Sequence, residues 1–194
     1  MDLVRDGALT EMPAATERDL DRELLQRFLR GDSHAFDLLF LRHEGFVYNI
    51  CLGILNNPED ARDITQDTFV KVYRSAAGFR GQSSFSTWIY RIAVNFCLDL
   101  LRRPAKRRAA EMPEDWEVPD SHAEAEEQNQ RAIIQETLSR LRPDYRAALS
   151  LRYFQQLSYE EMADVLGMNV GRVKILLHRA RKAFKDKYED GEPI

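Results

Sequence analysis

Ser158-Tyr159-Glu160-Glu161-Met162-Ala163-Asp164-Val165-Leu166-Gly167-Met168-Asn169-Val170-Gly171-Arg172-Val173-Lys174 is the stretch that decides the fold. It opens on a capping box, with Ser158 at the N-cap and Glu161 three residues on. The spacing predicts a helix to Leu166 that stops at Gly167, then a second helix, capped by Asn169 and about eighteen residues long. Two helices across a short glycine-containing turn make a helix-turn-helix pattern. Ala163 is small, as a close helix crossing requires. In the second helix Val170, Val173, Leu177, Ala180 and Phe184 share one stripe, which has to be core. Gly171, Arg172, Lys174, Ile175, His178, Arg179 and Lys182 then face outward. From Met168 to Lys187 seven cations stand against the single anion Asp186. Such a face is either a solvated basic surface or a recognition helix whose Arg and Lys reach guanine edges and phosphates in the major groove. Capping box, turn and charge together favour DNA binding. Ile175, apolar on this face, either touches a thymine methyl or packs on a neighbouring helix.

Working outward, helical patterns dominate and strand signals are weak, so the fold class is all-α. Leu20 to Arg30 reads as a short amphipathic helix stopped at Gly31. Asp32 or Ser33 caps the next, with Phe36, Leu39, Phe40, Val47, Ile50, Cys51 and Ile54 at helical spacing. Asn57-Pro58-Glu59-Asp60 is a helix start with cap, N-terminal proline and acids in place, running to about Arg74. Gly78 to Ser84 is a loop, and Phe85 to about Arg103 a helix ended by Pro104. After a linker, one helix starting near Gln128 carries Ile133, Ile134, Leu138 and Leu141, and Pro143 opens another that ends near Gln155. The organisation is two small helical domains, 19–104 and 128–190. They are joined by a flexible acidic linker, 105–127, and preceded by a disordered extension, 1–18.

The chain has 194 residues, 44% hydrophobic and 31% charged, a globular composition. No apolar run approaches the ~18 residues of a membrane span and no secretory leader is seen. Cys51 and Cys97 lie far apart in apolar surroundings with no Cys-x-x-Cys, which points to a reduced, cytoplasmic protein. Net charge is −4, yet Leu100 to Arg108 holds five cations and no anion, and Glu111 to Glu127 eight anions and no cation. These blocks act locally, because charges further apart than about 8–10 Å are screened from one another.

Chemistry-bearing residues do not form a catalytic set. His34, His43, His122 and His178 lack ligand spacing, and His43 reads as a core or boundary residue. Asp60, Asp63 and Asp67 with Gln66 form an acidic helix face that suits a basic partner or is simply solvated; a metal site there ranks low because a helix face spreads the ligands. Ala61, Ile64, Thr68 and Val72 lie opposite and read as core. Trp88, Ile89, Ile92, Ala93 and Phe96 make an apolar stripe, with Arg91, Asn95 and Asp99 on another face. No glycine-rich phosphate loop, Ser/His/Asp set or HExxH is present. The expectations are therefore no enzyme, no cofactor, no metal and no small-molecule substrate.

Asp60-Ala61-Arg62-Asp63-Ile64-Thr65-Gln66-Asp67-Thr68-Phe69-Val70-Lys71-Val72-Tyr73-Arg74 resembles a signature of bacterial extracytoplasmic-function sigma factors. Phe79-Arg80-Gly81 and Phe85-Ser86-Thr87-Trp88-Ile89-Tyr90-Arg91-Ile92-Ala93-Val94-Asn95 continue it, and Leu157 to Ala163 with Val170 to Lys174 supply the family's C-terminal helix-turn-helix. The resemblance runs from Leu20 to Tyr188 in the family's order. It implies a dissociable subunit that gives core RNA polymerase its promoter specificity. The N-terminal domain then melts and reads the minus-ten element, and the C-terminal one reads the minus-thirty-five element. Carried over residue by residue, Asp63, Gln66 and Asp67 dock on the clamp helices of the polymerase largest subunit. Arg80, Gln82, Ser83, Ser84 and Phe85 in the loop, with Tyr90, Arg91 and Asn95 in the helix, meet the minus-ten bases. Phe79 and Phe85 alternatively anchor the loop ends, Phe79 more so. Arg172, Lys174 and Arg179 contact the minus-thirty-five element, with Ile175 and His178 on the same face. Ile175-Leu176 departs from the small or basic residues frequent there in the family. The cluster Arg102, Arg103, Lys106, Arg107 and Arg108 contacts phosphates, and the acidic linker is either a tether or a nucleic-acid mimic in the polymerase channel. The resemblance also implies an anti-sigma partner, often tethered to the membrane. The alternative is a self-sufficient helix-turn-helix regulator, a dimer on a palindrome.

Overall fold

The computed structural model of the chain describes residues 14–102 and 133–190. All regular structure there is helical: α1 (Ala14–Leu29), α2 (Ser33–Leu55), α3 (Pro58–Ser75), a 3-10 turn (Ala76–Gly78), α4 (Phe85–Arg102), α5 (133–139), α6 (Pro143–Leu149), a π-helical turn (Ser150–Phe154), α7 (Tyr159–Leu166) and α8 (Val170–Glu189). The expected linker and the cluster Arg103 to Arg108 lie outside the described residues, as does most of the N-terminal extension.

Local chemistry sets the helix ends where the sequence places them. Gly31 sits at φ +101°, closed to most side chains, and the chain turns there. Asp32 caps α2 by accepting from the Ala35 amide at 3.3 Å. Hydrogen bonds from the Arg27 guanidinium hold the Asp32 carboxyl below its ordinary range. Asn57 caps α3 by accepting from the Glu59 and Asp60 amides at 2.9 and 3.1 Å, with Pro58 in the first turn. Two boundaries differ from expectation. α1 starts at Ala14 rather than Leu20, because Ala14-Ala15 directly after Pro13 are strong helix formers. The helix from Pro143 does not run on as α-helix to Gln155. It widens at Ser150 into a π turn, in which the Gln155 amide donates to the Ser150 carbonyl five residues back, and Gln156 reverses the chain at φ +53°.

α1–α4 pack around Leu39, Val47, Ile50, Ile54, Val72 and Ile89, all fully buried. Each such side chain contributes roughly 1.5–3 kcal/mol by leaving water. Composition and length alone would let α2 cross a bilayer, a match the absence of a long apolar run did not anticipate. Its apolar face is instead spent on this core. α5–α8 enclose Leu151, Met162, Val165, Val173 and Leu177. The two halves touch, the C-terminal helices lying on α2 and α4. A Cβ at Gly53 of α2 would stand 2.5 Å from the Ser150 hydroxyl, so the halves meet there at backbone distance. Arg146 of α6 is buried and its charge is felt by Cys97 of α4.

Cys51 and Cys97, far apart in sequence, are brought together. Each is fully buried and the two thiols share a hydrogen bond between α2 and α4. That bond, and after it burial, pushes the Cys97 thiol far up, so it is an inert apolar core group.

Candidate nucleic-acid interface

α3 lays out one exposed stripe. Asp63, Gln66 and Asp67 are solvent-facing, and neither carboxylate forms an ion pair with another described residue. Ala61, Ile64, Thr68 and Val72 are buried on the opposite side, as the spacing predicts. The stripe continues into Val70 and Tyr73, both half exposed. The Tyr73 ring lies 4.9 Å from that of Phe28 and 5.0 Å from that of Phe36. Sequence reasoning missed these two, although their i+7 and i+10 spacing from Asp63 is a signal for the same face.

The loop before α4 forms a polar cavity of about 430 Å³ lined by Gly78, Phe79, Arg80, Gln82, Ser83, Trp88, Arg91 and Asp164. Gly81 at φ +67° makes its turn. The residues expected at this site divide into three kinds. Arg80, Gln82 and Asn95 are exposed, with Ser83 and Arg91 half-buried. Ser84 is committed to the start of α4: its Oγ accepts from the Thr87 amide at 3.0 Å and sits 2.7 Å from the Thr87 hydroxyl. Phe85 and Tyr90 are 4% and 7% exposed and do not face the cavity as free contact groups. Phe85 instead stacks among Phe79, Trp88 and His43, with centroids 6.2, 5.9 and 5.3 Å away. It is thus more deeply anchored than Phe79, the reverse of the expected order. Tyr90 is buried because α4 is packed against α2, α3 and α7.

Asp164, from α7, was not expected here. Arg91 Nε donates to its backbone carbonyl at 2.7 Å. Nearby, Arg18 of α1 reaches Glu161 at 3.3 Å. Partial burial pushes the Glu161 carboxyl up, but hydrogen bonds from the Ser158 amide and hydroxyl, helped by Arg18, outweigh it and hold the group below its usual range.

The helix-turn-helix is built as its sequence prescribes. Glu161 Oε2 accepts from the Ser158 amide at 2.9 Å, and Ser158 Oγ accepts from the Glu161 amide at 3.2 Å. Gly167 at φ +63° ends α7, and Asn169 caps α8 by accepting from the Arg172 amide at 2.8 Å. Val173, Leu177 and Ala180 are buried, with Val170 and Phe184 half-buried beside them. Arg172, Lys174, Ile175, His178 and Arg179 are all exposed. The ammonium of Lys174 lies 5.5 Å above the Tyr159 ring, which steadies the side chain at the edge of the face. Ile175, 55% exposed, stays on the open face while Leu176 turns toward the core. An apolar cleft of about 380 Å³, unforeseen from sequence, lies elsewhere on this half between Ile134, Leu138, Leu149, Tyr153, Phe154, Arg181 and Phe184.

Residues 39–108 match the family described as Sigma-70 region 2, and residues 131–184 match Sigma-70, region 4. The RNA polymerase sigma-H factor of Pseudomonas aeruginosa is 35% identical over 179 residues, covering 86% of this chain and 93% of that one. The chain belongs to the extracytoplasmic-function sigma factors. The ECF RNA polymerase sigma-E factor of Escherichia coli is 34% identical over 188 residues, covering 90% of this sigma factor and 97% of the relative. Among solved structures, CnrH in complex with the cytosolic domain of CnrY superposes with a TM-score of 0.66 at 25% identity, over 90% of this chain and 98% of that one. RpoE of Bartonella quintana, solved with the anti-sigma factor NepR, has the same fold at a TM-score of 0.62 and 20% identity, covering 81% and 98%. As a sigma factor the protein serves RNA polymerase in promoter recognition and is not an enzyme. The region 2 match takes in most of α2 with α3 and α4, and the region 4 match takes in α5–α7 and most of α8.

Proposed function

We propose that this sigma factor works through three separate surfaces. Asp63, Gln66 and Asp67 of α3, extended by Val70 and Tyr73, form the surface for the clamp helices of the polymerase largest subunit. The support is an exposed acidic stripe whose carboxylates are unspent on described cations, so a basic partner meets them without first breaking ion pairs.

The cavity at Arg80, Gln82, Ser83 and Arg91 takes the extruded minus-ten base, and Asn95 reads beside it. A polar cavity of about 430 Å³ with two aromatic residues in its wall, Phe79 and Trp88, is a fitting receptor for a nucleobase, and this observation carries the reading. Stacking on such a wall is worth about 1–3 kcal/mol per base and lowers the cost of melting. Phe85, Tyr90 and Ser84 hold the frame of this site.

Arg172, Lys174, Ile175, His178 and Arg179 enter the major groove at the minus-thirty-five element, with Ile175 placed for a thymine methyl. Arg102, exposed at the end of α4, adds a phosphate contact.

An anti-sigma protein is the second partner. The support is the CnrH neighbour, solved with the cytosolic domain of CnrY. The apolar cleft at Leu138, Leu149 and Phe154 suits an amphipathic helix of such a partner. Location follows the partner: the sigma factor acts in the cytoplasm, held at the membrane where the anti-sigma protein is anchored. Pull-down with core polymerase, then with and without the anti-sigma domain, tests both halves of the proposal.

A further inference from the structure

Two cations of the C-terminal half meet on one ring. Tyr159 is the first residue of α7 and half-buried. The Arg152 guanidinium lies over its ring with Cζ 5.2 Å from the centroid, and the Lys174 ammonium lies 5.5 Å from the same centroid. The three side chains come from three elements: Lys174 belongs to α8, and Arg152 sits in the middle of the π turn. The chain reversal at Gln156 carries Leu157 back past Arg152, whose Nη1 donates to the Leu157 carbonyl at 2.7 Å. The irregular backbone at Ser150 to Phe154 thus aims a guanidinium at the start of the helix-turn-helix.

Neither cation is neutralised within the described fold, where no carboxylate pairs with Arg152 or Lys174. Arg142 makes the contrast. It too lies over a ring, that of Tyr145 at 5.2 Å, but its guanidinium is engaged by Asp144. Glu161, two residues from Tyr159, is engaged by Ser158 and Arg18. Two like charges gathered at one ring repel, and an anion near both relieves the repulsion. Of the five N–H donors of the Arg152 guanidinium, the described fold uses one.

We propose that Tyr159 is a positioning residue of the minus-thirty-five interface, holding Lys174 and Arg152 against the phosphates that flank the bases read by Arg172, Ile175 and Arg179. This rests on the major-groove reading of α8. In a helix-turn-helix the second helix enters the groove while the first crosses the backbone. Tyr159 opens the first helix and reaches the second through Lys174, so the cluster stands where base contacts give way to phosphate contacts. Arg152, which lies on neither helix, thereby joins the DNA interface. Its contact and that of Lys174 fix register and carry no sequence information. The ring orders both long side chains before DNA arrives, which reduces the freedom they lose on binding.

Holoenzyme assembled from core polymerase and each full-length variant tests this. Fluorescence anisotropy follows binding to a fluorescein-labelled duplex bearing the minus-thirty-five sequence that wild-type holoenzyme recovers from a promoter library, at several salt concentrations. Arg152→Gln keeps a donor for the Leu157 carbonyl and removes one charge; Lys174→Met removes the other. Each is expected to lower the salt slope by about one and to leave base preference unchanged. Tyr159→Leu is expected to weaken binding about fivefold or more, and Tyr159→Phe, which keeps the ring face, to rescue it. In the Lys174→Met background, with one cation already gone, Tyr159→Leu is expected to cost only about twofold. Lys174 is exposed, so this cycle stands whether or not Arg152→Gln folds, which thermal melts of the free chains check. A Tyr159 that only supports the fold costs the same factor in both backgrounds, and that result overturns the proposal. A folded Arg152→Gln with an unchanged slope overturns it too, as does a Tyr159→Phe as weak as Tyr159→Leu. A wild-type holoenzyme that binds a scrambled duplex equally well overturns the groove reading and the proposal with it. A selective holoenzyme with any of the other adverse results overturns the proposal alone.

Discussion

Asp21 Oδ2 accepts a hydrogen bond from His43 Nε2 at 2.9 Å, with both side chains more than 90% buried. Arg42 Nε donates to the other carboxylate oxygen at 3.1 Å, so one acid of α1 is spent on two bases of α2. The His43 ring lies against Phe85, the first residue of α4. The pair thus joins α1 to the frame beneath the cavity at Arg80 and Trp88. Removing one partner strands a buried polar group. Asp21→Ala should cost about 3–5 kcal/mol in urea unfolding, and Asp21→Asn, which keeps an acceptor, less.

Charge reversal on the α3 stripe should act on polymerase alone. Asp63→Lys with Asp67→Lys is expected to weaken core binding by about tenfold or more, or roughly 1.4 kcal/mol. Neither carboxylate is used within the described fold, so the thermal midpoint should hold. Fluorescence anisotropy against core polymerase, with a parallel melt, checks both.

Asn95 is exposed one helical turn beyond Arg91, which lines the cavity. Asn95→Ala should lose promoter-dependent run-off transcription while retaining core binding. A variant that transcribes normally removes Asn95 from the minus-ten site. Tyr90→Ala makes the contrast: with Tyr90 buried, it should lose about 3–5 kcal/mol of stability before any effect on promoter choice can be read.

On α8, Arg172→Ala and Lys174→Ala should each lower the salt slope of duplex binding by about one if they meet phosphates, and relax base preference at one position if they meet guanine. Ile175→Ala should reduce discrimination for thymine with the salt slope unchanged. A titration series at several salt concentrations on a minus-thirty-five duplex separates the cases.

The capping box gives a pH dependence of known sign. Because Glu161 is held below its ordinary value, its contribution to stability is complete above about pH 5, where even an ordinary glutamate is ionised. It is lost as pH falls through the lowered value. Glu161→Gln should flatten that part of the stability profile, and Ser158→Ala should cost about 1 kcal/mol at neutral pH. Denaturation series from pH 7 to 3 test both.

Helix ends and the region 4 motif were legible because their causes are local: a cap, a proline and a glycine lie within a few residues of the ends they set. The core stripe of α8 was legible for the same reason, since helical periodicity alone places Val173, Leu177 and Ala180. What failed to show depends on pairs distant in sequence. Cys51 meets Cys97 only once α2 packs on α4, and Arg91 meets Asp164 and Gly53 meets Ser150 only after the halves dock. One signal was available and unread. Tyr90, Val94 and Cys97 form a second apolar stripe on α4 beside that of Ile89 and Ala93, and a helix apolar on two faces is one covered on two sides. That stripe explains why Tyr90 is buried, while Phe85 falls on the first stripe, one turn before Ile89. The π turn at Ser150 has no comparable signature in the residues around it.

The central claim is that three surfaces of one chain serve polymerase and both promoter elements. It is tested most directly by mixing the purified protein with bacterial core RNA polymerase, isolating the complex by size exclusion, and assaying run-off transcription on a promoter library. Co-elution with selective initiation, and recovered promoters carrying two conserved blocks about 25 base pairs apart at their centres, is the expected result. No co-elution, with tight binding of the free protein to a palindromic duplex, would contradict it.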